Sequence, residues 1–238
     1  MKKYQSIAQA LKTKIINEIY PKNSLLPSEN ELVNQYAVSR STIRQAMKSL
    51  EEEGLIQRRQ GFGSTVIAQD KFLFPISGLT SFDELQNLLG MKAETCVVLF
   101  ECIPVDETLA ELTGFPLDAK SFHIIRQRKI ENKASILDED YLLCDYSEGL
   151  TAELAQASIY HYLENNLKLN IAYAQKEITI DLLNDRDKSY LNLPALDRHV
   201  VSVKSHVYLA DNTLFQYTES RHQVDKFRFT ELARRQKH

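Results

Sequence analysis

Several residue types are scarce in this sequence of 238 residues, and their scarcity excludes whole classes of protein. Tryptophan is absent, and the three cysteines, Cys96, Cys102 and Cys144, give an odd number without metal-ligand spacing. We therefore expect buried thiols of a cytosolic protein and neither a disulfide-stabilised scaffold nor a zinc site. The six histidines are scattered along the chain, and no metal pair is expected among them.

Long apolar runs are missing as well. No stretch is long enough to cross a bilayer, and residues 1–14 lack the apolar core of a signal peptide. The sequence therefore predicts a cytoplasmic protein with no membrane contact, and no motif in it calls for a cofactor.

The residues that are present indicate a folded protein with an uneven charge. Hydrophobic residues make up 43% of the chain, which is enough for real cores, and the length allows one large or two modest domains. Residues 1–67 contain 10 Lys/Arg against 6 Asp/Glu, whereas the remaining residues contain 19 against 26. A basic front and an acidic rear fit a DNA-binding module joined to another domain, although solvated surfaces often show such a bias.

The stretch from Pro27 to Leu50 predicts two short helices with a tight turn between them. Ser28 and Glu31 have the spacing of a capping box, and Ser39 is a good N-cap for the second helix. In that helix the apolar positions that recur at helical spacing are Ile43, Ala46, Met47 and Leu50. The polar residues left for the outer face or the first turn are Arg40, Ser41, Thr42, Arg44, Gln45 and Lys48.

Such an outer face suits a recognition helix in the DNA major groove, because arginine and glutamine can pair with base edges while hydroxyls and lysine bind phosphates. Ordinary amphipathic helices with basic surfaces share this periodicity. The flanking segments favour the first interpretation. Residues 4–20 predict a helix with Ile7, Leu11, Ile15 and Ile19 in one stripe, and residues 55–67 predict two strands around a basic, glycine-containing tip. A hairpin after a recognition helix is a wing, and Leu25 and Leu26 are expected to join it as a short strand.

The rear of the chain alternates between strand and helix patterns. Strands are predicted at 95–104, 121–130, 134–143, 173–182, 200–209 and 214–222, with helices at 105–114, 158–167 and 185–191. This order predicts an α+β domain on an antiparallel sheet.

Several residues of the rear domain point to an anionic ligand. Thr80 and Ser81 open a helix at 79–85, where hydroxyls and free amides can hold phosphate. Arg126 and Arg128 alternate along one strand and so share a face, and two guanidinium groups suit phosphate. Further candidates are Ser158 at another helix start, and Glu219 and Arg221 in a late strand. Taken singly, each of them could equally be a solvated or salt-bridged strand residue.

The residue pattern of the front domain resembles the GntR family of bacterial repressors. The resemblance is carried by Leu26–Glu29, Val38–Ala46, Leu50 with Gly54–Ile56, and the glycines at 61 and 63. It implies a winged helix-turn-helix domain that binds double-stranded DNA. The implied DNA-binding residues, together with those of the exposed face, are Ser28, Asn30, Ser39, Arg40, Ser41, Thr42, Arg44, Gln45, Lys48, Arg59, Gln60 and Gly61. Relatives often carry arginine at the position of Asn30, so the base preference there is open.

The rear domain resembles the HutC branch of that family, whose effector domain has a chorismate-lyase-like (UTRA) fold. Segments 74–82, 136–141, 158–160, 173–178, 214–222 and 225–229 resemble in particular the members that control trehalose operons. This implies trehalose 6-phosphate as the effector. In related phosphosugar-sensing members the phosphate lies at positions matching Ser81, Phe82, Arg126, Arg128 and Ser158. The sugar lies at positions matching Asp140, Tyr160, Glu177, Glu219 and Phe227, although many relatives have tyrosine where this chain has Phe227.

Together these expectations describe a homodimeric repressor with three segments. Residues 1–68 form the DNA-binding domain, 69–76 the linker, and 77–238 the effector-binding and dimerisation domain. A two-fold symmetric dimer is expected to bind a palindromic operator. The alternatives are a regulator of another phosphosugar such as glucosamine 6-phosphate, an activator instead of a repressor, and a sugar-phosphate enzyme. The sequence shows no nucleophile with its base, no metal set and no nucleotide-binding loop, which disfavours the enzyme.

Overall fold

The computed structural model of the chain describes residues 3–52, 54–59, 62–67, 79–89, 92–227 and 229. These residues form two compact units, which are described separately. The predicted linker, residues 69–76, and residues 230–238 lie outside the described part, so the domain boundaries at 68 and 77 stay a prediction. None of the described helices combines the length and apolar composition that a membrane span needs.

The front unit is a helix-turn-helix followed by a hairpin. Its elements are α1 (Lys3–Ile16), α2 (Glu29–Tyr36), α3 (Arg40–Glu52), β1 (Ile56–Arg59) and β2 (Gly63–Val66). The strands β1 and β2 pair antiparallel, and the predicted third strand is present as a bridge between Leu25 and Thr65. The core between α1, α2, α3 and the hairpin includes Leu11, Leu32, Ile43, Leu50 and Ile56, all with no exposed surface.

Local chemistry fixes the starts of α2 and α3 as the sequence predicts. The Ser28 amide donates to the Glu31 carboxylate at 2.7 Å, and the Glu31 amide donates to the Ser28 hydroxyl at 3.3 Å. The turn after α2 passes through Ala37 in the left-handed region, with φ 49°. Ser39 then caps α3 by accepting from the Thr42 amide at 3.3 Å.

The first helix is shorter than predicted. It ends at Ile16 because Glu18 adopts the left-handed region, with φ 60°, and reverses the chain. The Ile19 amide then donates to the Lys14 carbonyl, a bond that closes helix ends of this kind. Ile19 leaves the apolar stripe, and 62% of its surface is exposed.

The rear unit is a six-stranded antiparallel sheet with helices on both faces. Its strands are β3 (Ala93–Pro104), β4 (Lys120–Ile130), β5 (Lys133–Leu143), β6 (Ile171–Leu182), β7 (His199–Leu209) and β8 (Leu214–Gln223), in the order β3-β4-β5-β8-β7-β6. Its helices are α5 (Glu107–Thr113), α6 (Ala152–Ala157), α7 (Ile159–Asn165), α8 (Asp185–Tyr190) and the part of α4 (Phe82–Leu89) that ends at Gln86. The α+β class and the antiparallel sheet are confirmed. The expected burial of the cysteines is wrong, because Cys102 is exposed and Cys96 and Cys144 are half-buried.

Two apolar layers hold the helices against the sheet. Buried residues of α6 and α7 pack with Ile124 and Leu142 on one face, which we call the cavity face. Residues of α5 pack with Tyr141 and Tyr217 on the opposite face. No sequence pattern predicts α6, because six residues are too few for a clear helical period.

Candidate functional site

The outer face of α3 carries the polar residues that the sequence predicts there. Arg40, Ser41, Arg44, Gln45 and Lys48 are exposed, whereas the apolar residues of the same helix are buried. Thr42 is half-buried, and the hydroxyls of Ser41 and Thr42 lie 2.9 and 2.8 Å from that of Ser39. The start of the helix therefore presents Arg40 and hydroxyls, and the turns that follow present a second arginine, a glutamine and a lysine.

The other predicted DNA contacts lie on α2 and the hairpin. Asn30 is exposed in the first turn of α2, and Ser28 immediately before that helix is also exposed, with its hydroxyl occupied by the cap. Arg59 is exposed at the end of β1, whereas Gln60 and Gly61 lie outside the described residues.

Glu29 joins α2, α3 and the hairpin, and the sequence analysis missed it. Its carboxylate accepts from Arg58 at 2.6 Å, from Arg44 at 3.0 Å and from Arg40 at 3.4 Å. Partial burial alone would raise the pKa of Glu29, but hydrogen bonds and charge from the arginines outweigh burial and lower it. The carboxylate on α2 thus orders three basic side chains, two from α3 and one from β1.

A cavity of about 170 Å³ lies on the cavity face of the sheet in the rear unit. Nine predicted effector residues line it: Thr80, Ser81, Phe82, Arg126, Arg128, Asp140, Ser158, Tyr160 and Phe227. Polar residues that the sequence analysis did not select also line it: Asp138, Lys176, Ser205, Gln216, Thr218, Ser220 and His222. Sheet register explains part of this set, because Lys176, Ser205, Thr218 and Asp140 lie opposite one another in one row across four strands.

The structure does not bring Glu177, Glu219 and Arg221 to this cavity. Side chains alternate along a strand, so Glu177 points away from the face of Lys176, and Glu219 away from that of Thr218 and Ser220. Arg221 binds the Asp187 carboxylate at 2.8 and 2.9 Å and Glu219 at 2.7 Å on the opposite face. For these three residues the expected contact with the effector differs from the observed geometry.

Two buried arginines of the cavity are already paired with carboxylates. Arg126 donates through Nε and Nη2 to Oδ2 of Asp140, at 3.0 and 2.7 Å, and Arg128 donates through Nε to Asp138 at 2.8 Å. The sequence predicts these arginines as phosphate ligands, and no pattern in it indicates Asp138 as their partner. The four charges sum to zero, and the other two charged residues of the lining, Lys176 and Asp83, are also of opposite sign.

Burial and mutual charge shift the pKa values of this group. Burial alone would raise the pKa of Asp138, but Arg128 and Arg126 outweigh it and lower the pKa. Burial, aided by the charge of Arg126, lowers the pKa of Arg128 to about 10, although Asp138 opposes this. Burial together with the charge of Asp140 raises the pKa of Tyr160. At neutral pH the arginines and Asp138 are therefore charged and Tyr160 is a neutral phenol.

Side chains from α4 and α7 complete the cavity. The guanidinium carbon of Arg128 lies 4.5 Å from the centre of the Phe82 ring, a cation–π contact. The Ser81 hydroxyl accepts from the Glu84 amide at 3.2 Å, and Ser158 accepts from the His161 amide at 3.3 Å. Both hydroxyls can still donate to an anion in the cavity.

His222 makes the stability of the rear unit depend on pH. Burial lowers its pKa to about 4, and the nearby charge of Asp138 offsets only part of this. Between pH 6.5 and about 4 the unfolded chain binds a proton that the folded chain does not, so stability falls as the pH is lowered. We expect a slope from this residue of about 1 kcal/mol per pH unit, measured as the free energy of unfolding in urea.

The variant His222→Gln should lose that slope between pH 6 and 5. Glu139 does not confuse the measurement, because its pKa is lowered to about 2 and its effect is concentrated below pH 4.5. Burial alone would lower the pKa of His123, but its hydrogen bonds to Glu139 and Glu101 outweigh burial and raise the pKa. His123 therefore changes the free energy of unfolding above pH 6.5 and not between pH 6 and 5. An equal slope in wild type and variant would contradict the assignment.

Family models match both units of the chain. Residues 3–66 match the model described as "Bacterial regulatory proteins, gntR family", and residues 88–228 match the UTRA domain.

Curated relatives match over nearly the full chain. The HTH-type transcriptional regulator TreR of Bacillus subtilis is 43% identical over 234 residues, which cover 98% of this chain and 96% of the relative. The mannosyl-D-glycerate transport/metabolism system repressor MngR of Escherichia coli is 28% identical, with the same shares of each chain.

Solved structures show the same folds. The effector-binding domain of the B. subtilis trehalose repressor is 43% identical, with a TM-score of 0.55, and covers 60% of this chain and 99% of that one. The possible transcriptional regulator YydK of B. subtilis has a TM-score of 0.78 over 98% of this chain and 100% of that one. At 24% identity, YydK supports the fold alone.

Proposed function

Because this chain belongs to the GntR family of bacterial regulatory proteins and carries a UTRA domain, we propose that it represses trehalose utilisation genes and is released from DNA by trehalose 6-phosphate. Its relatives are named transcriptional regulators, and the chain is a regulator and not an enzyme. Such a protein acts in the cytoplasm, which contains both the DNA and the phosphosugar.

The outer face of α3 supports the DNA-binding half of the proposal. Arg40, Arg44 and Gln45 can pair with base edges in the major groove, and Lys48 with the backbone. Ser28, Asn30, Ser39, Ser41 and Thr42 would add contacts near the two helix starts, and Arg59, Gln60 and Gly61 would contact DNA from the wing. Glu29 limits the arginines to a few orientations, which lowers the entropy lost on binding.

One observation carries the effector half: two buried guanidinium groups line a cavity that also holds serine hydroxyls. Arg126 and Arg128 are each less than 10% exposed, and Ser81 and Ser158 lie on the same lining. Guanidinium forks and hydroxyls are the groups that bind phosphate in proteins. We assign the phosphate to these four residues with Phe82 and Thr80, and the sugar to the part of the cavity lined by Asp140, Tyr160 and Phe227.

The paired carboxylates give ligand binding a means of changing the structure. A phosphate that approaches Arg126 and Arg128 competes with Asp140 and Asp138 for the same donors. Binding therefore favours a conformation in which these ion pairs and the start of α4 are rearranged. The ratio of the ligand's affinities for the two conformations determines how much the affinity for DNA decreases.

Trehalose 6-phosphate is proposed because a relative 43% identical over 98% of this chain is named TreR, and its homologous effector domain is described as that of a trehalose repressor. The phosphate-binding residues would serve any phosphosugar, so a different one, such as glucosamine 6-phosphate, is the second candidate. Calorimetry of the whole protein with trehalose 6-phosphate, glucosamine 6-phosphate and plain trehalose separates them. Only trehalose 6-phosphate should bind with micromolar or better affinity. Tighter binding of glucosamine 6-phosphate would identify that phosphosugar as the effector instead.

Strand β6 supports the homodimer. It lies at the end of the strand order, and its apolar residues Ile180 and Leu182 are 73% and 70% exposed. An edge strand with unpaired backbone groups and apolar side chains is a template for pairing with a second strand. We propose that two copies pair here, which would present two recognition helices to a palindromic operator.

A double variant tests this interface. Ile180→Glu with Leu182→Glu should convert the dimer to a monomer in light scattering, because the charges would be buried at the paired edges. Operator affinity should then fall at least tenfold, since each monomer contacts only one half-site. The control is Leu196→Glu, at a residue that is 90% exposed outside this strand. A double variant that stays dimeric places the interface elsewhere.

A further inference from the structure

Gln216 presents a buried amide oxygen that lacks a partner. It lies on β8 and lines the cavity, and only 2% of its surface is exposed. Its Oε1 atom is fully buried and accepts no hydrogen bond from any residue that the structure describes. Buried acceptors nearly always receive a hydrogen bond in folded proteins. An acceptor without one has lost its hydrogen bonds to water and gained none in return, which destabilises the fold.

The orientation of this amide is fixed by its neighbour. Gln216 Nε2 donates to Asp140 Oδ1 at 3.0 Å, and the other carboxylate oxygen of Asp140 accepts twice from Arg126. A carboxylate held by a guanidinium group has lone pairs and no proton, so it can accept hydrogen bonds but cannot donate one. A rotation of the amide by 180° would place two oxygens against each other. The NH₂ group therefore faces Asp140, and Oε1 is the atom left without a partner.

The missing partner has to be a hydrogen-bond donor. A phosphate dianion offers only acceptors, so it cannot satisfy Oε1. The donor must come from another part of the ligand, and a sugar hydroxyl has the required proton. We propose that Gln216 determines specificity by accepting a hydrogen bond from a sugar hydroxyl of the effector, a role that rests on the proposed function of the cavity.

The test compares two ligands and two proteins. Gln216→Met keeps the length of the side chain and removes both the acceptor Oε1 and the Nε2 donor to Asp140 Oδ1. In calorimetry, the affinity of the full-length variant for trehalose 6-phosphate should fall about tenfold, because a buried ligand hydroxyl loses its acceptor. Its affinity for inorganic phosphate, measured by NMR titration in the millimolar range, should stay within about twofold. Phosphate makes no bond to Oε1, and Arg126 still holds Asp140 through Oδ2 in the variant.

The two ligands separate direct contact from a structural role. If Gln216 only orders Asp140 and Arg126, both affinities will fall together, and this would overturn the inference. Unchanged affinity for both ligands would do the same. If the wild-type protein binds inorganic phosphate and neither phosphosugar, the proposed function fails first and the inference fails with it.

Two more variants guard against a folding defect. Gln216→Asn keeps an amide and withdraws it by one methylene, and an intermediate loss of phosphosugar affinity is expected. Gln223→Met removes another buried glutamine of β8, whose amide donates to the carbonyls of Ala134 and Asn192 outside the cavity lining. It should bind both ligands as the wild type does. A loss as large as that of Gln216→Met would attribute the effect to strand β8 and not to the amide oxygen.

Discussion

Replacing Arg126 with lysine should give a repressor that stays on its operator when trehalose 6-phosphate is added. Lysine keeps the charge beside Asp140, so the carboxylate is not left unpaired in the interior. It loses the planar fork that could serve Asp140 and phosphate together. The concentration of trehalose 6-phosphate that releases half of the operator should rise roughly tenfold or more, as measured by fluorescence anisotropy with labelled DNA.

The matched control is Arg221→Lys, on the opposite face of the same sheet. The sequence predicts Arg221 as an effector-binding residue, whereas in the structure its guanidinium group donates to the carboxylates of Asp187 and Glu219. Arg221→Lys should respond to the effector as the wild type does, provided that thermal unfolding shows an intact fold. If Arg221→Lys loses the response and Arg126→Lys keeps it, the assigned phosphate site is on the wrong face.

The second large effect is expected for Arg44→Ala. Arg44 lies on the exposed face of α3, with 60% of its side chain accessible, and can pair with a guanine edge. Its removal should weaken specific operator binding by about 1–3 kcal/mol, or roughly fivefold to 150-fold. Binding to unrelated DNA should fall much less, since a base contact carries sequence information and a phosphate contact does not.

The control is Lys188→Ala in the rear unit, which removes the same charge from an exposed lysine of α8. It should leave both affinities unchanged. A uniform loss for Arg44→Ala on operator and unrelated DNA would make Arg44 a backbone contact. Unchanged operator binding would remove it from the interface.

The front unit could be predicted closely because its signals are local. A capping box at Ser28, a helix stripe through Ile43 and Leu50, and a hairpin with glycine at its turn each act over a few residues. The role of Glu29 could not be predicted, because its three arginines come from α3 and β1. Their meeting depends on how the helix and the hairpin pack, which no local pattern records.

In the rear unit the sequence identified the strands but not always the face that each residue occupies. Arg126 and Arg128 were placed correctly on one face, since residues two apart on a strand must share it. On β8 the charged Glu219 and Arg221 were chosen, whereas the cavity is lined by Gln216, Thr218, Ser220 and His222.

The alternation of side chains along β8 shows which residues share a face of the sheet. Only the packing of α4, α6 and α7 determines which of the two faces lines the cavity. For the same reason Lys176 was missed and its neighbour Glu177 was chosen. The pairing of Asp138 with Arg128 likewise depends on the register between β4 and β5, which places these strands side by side.

The most direct test of the whole account is a titration of the repressor–operator complex with trehalose 6-phosphate and, separately, with trehalose. The wild-type protein should release labelled operator DNA as the phosphorylated sugar is added and should keep it bound in plain trehalose at the same concentrations. Release by both sugars alike would contradict the role given to Arg126 and Arg128, and release by neither would contradict the proposed effector.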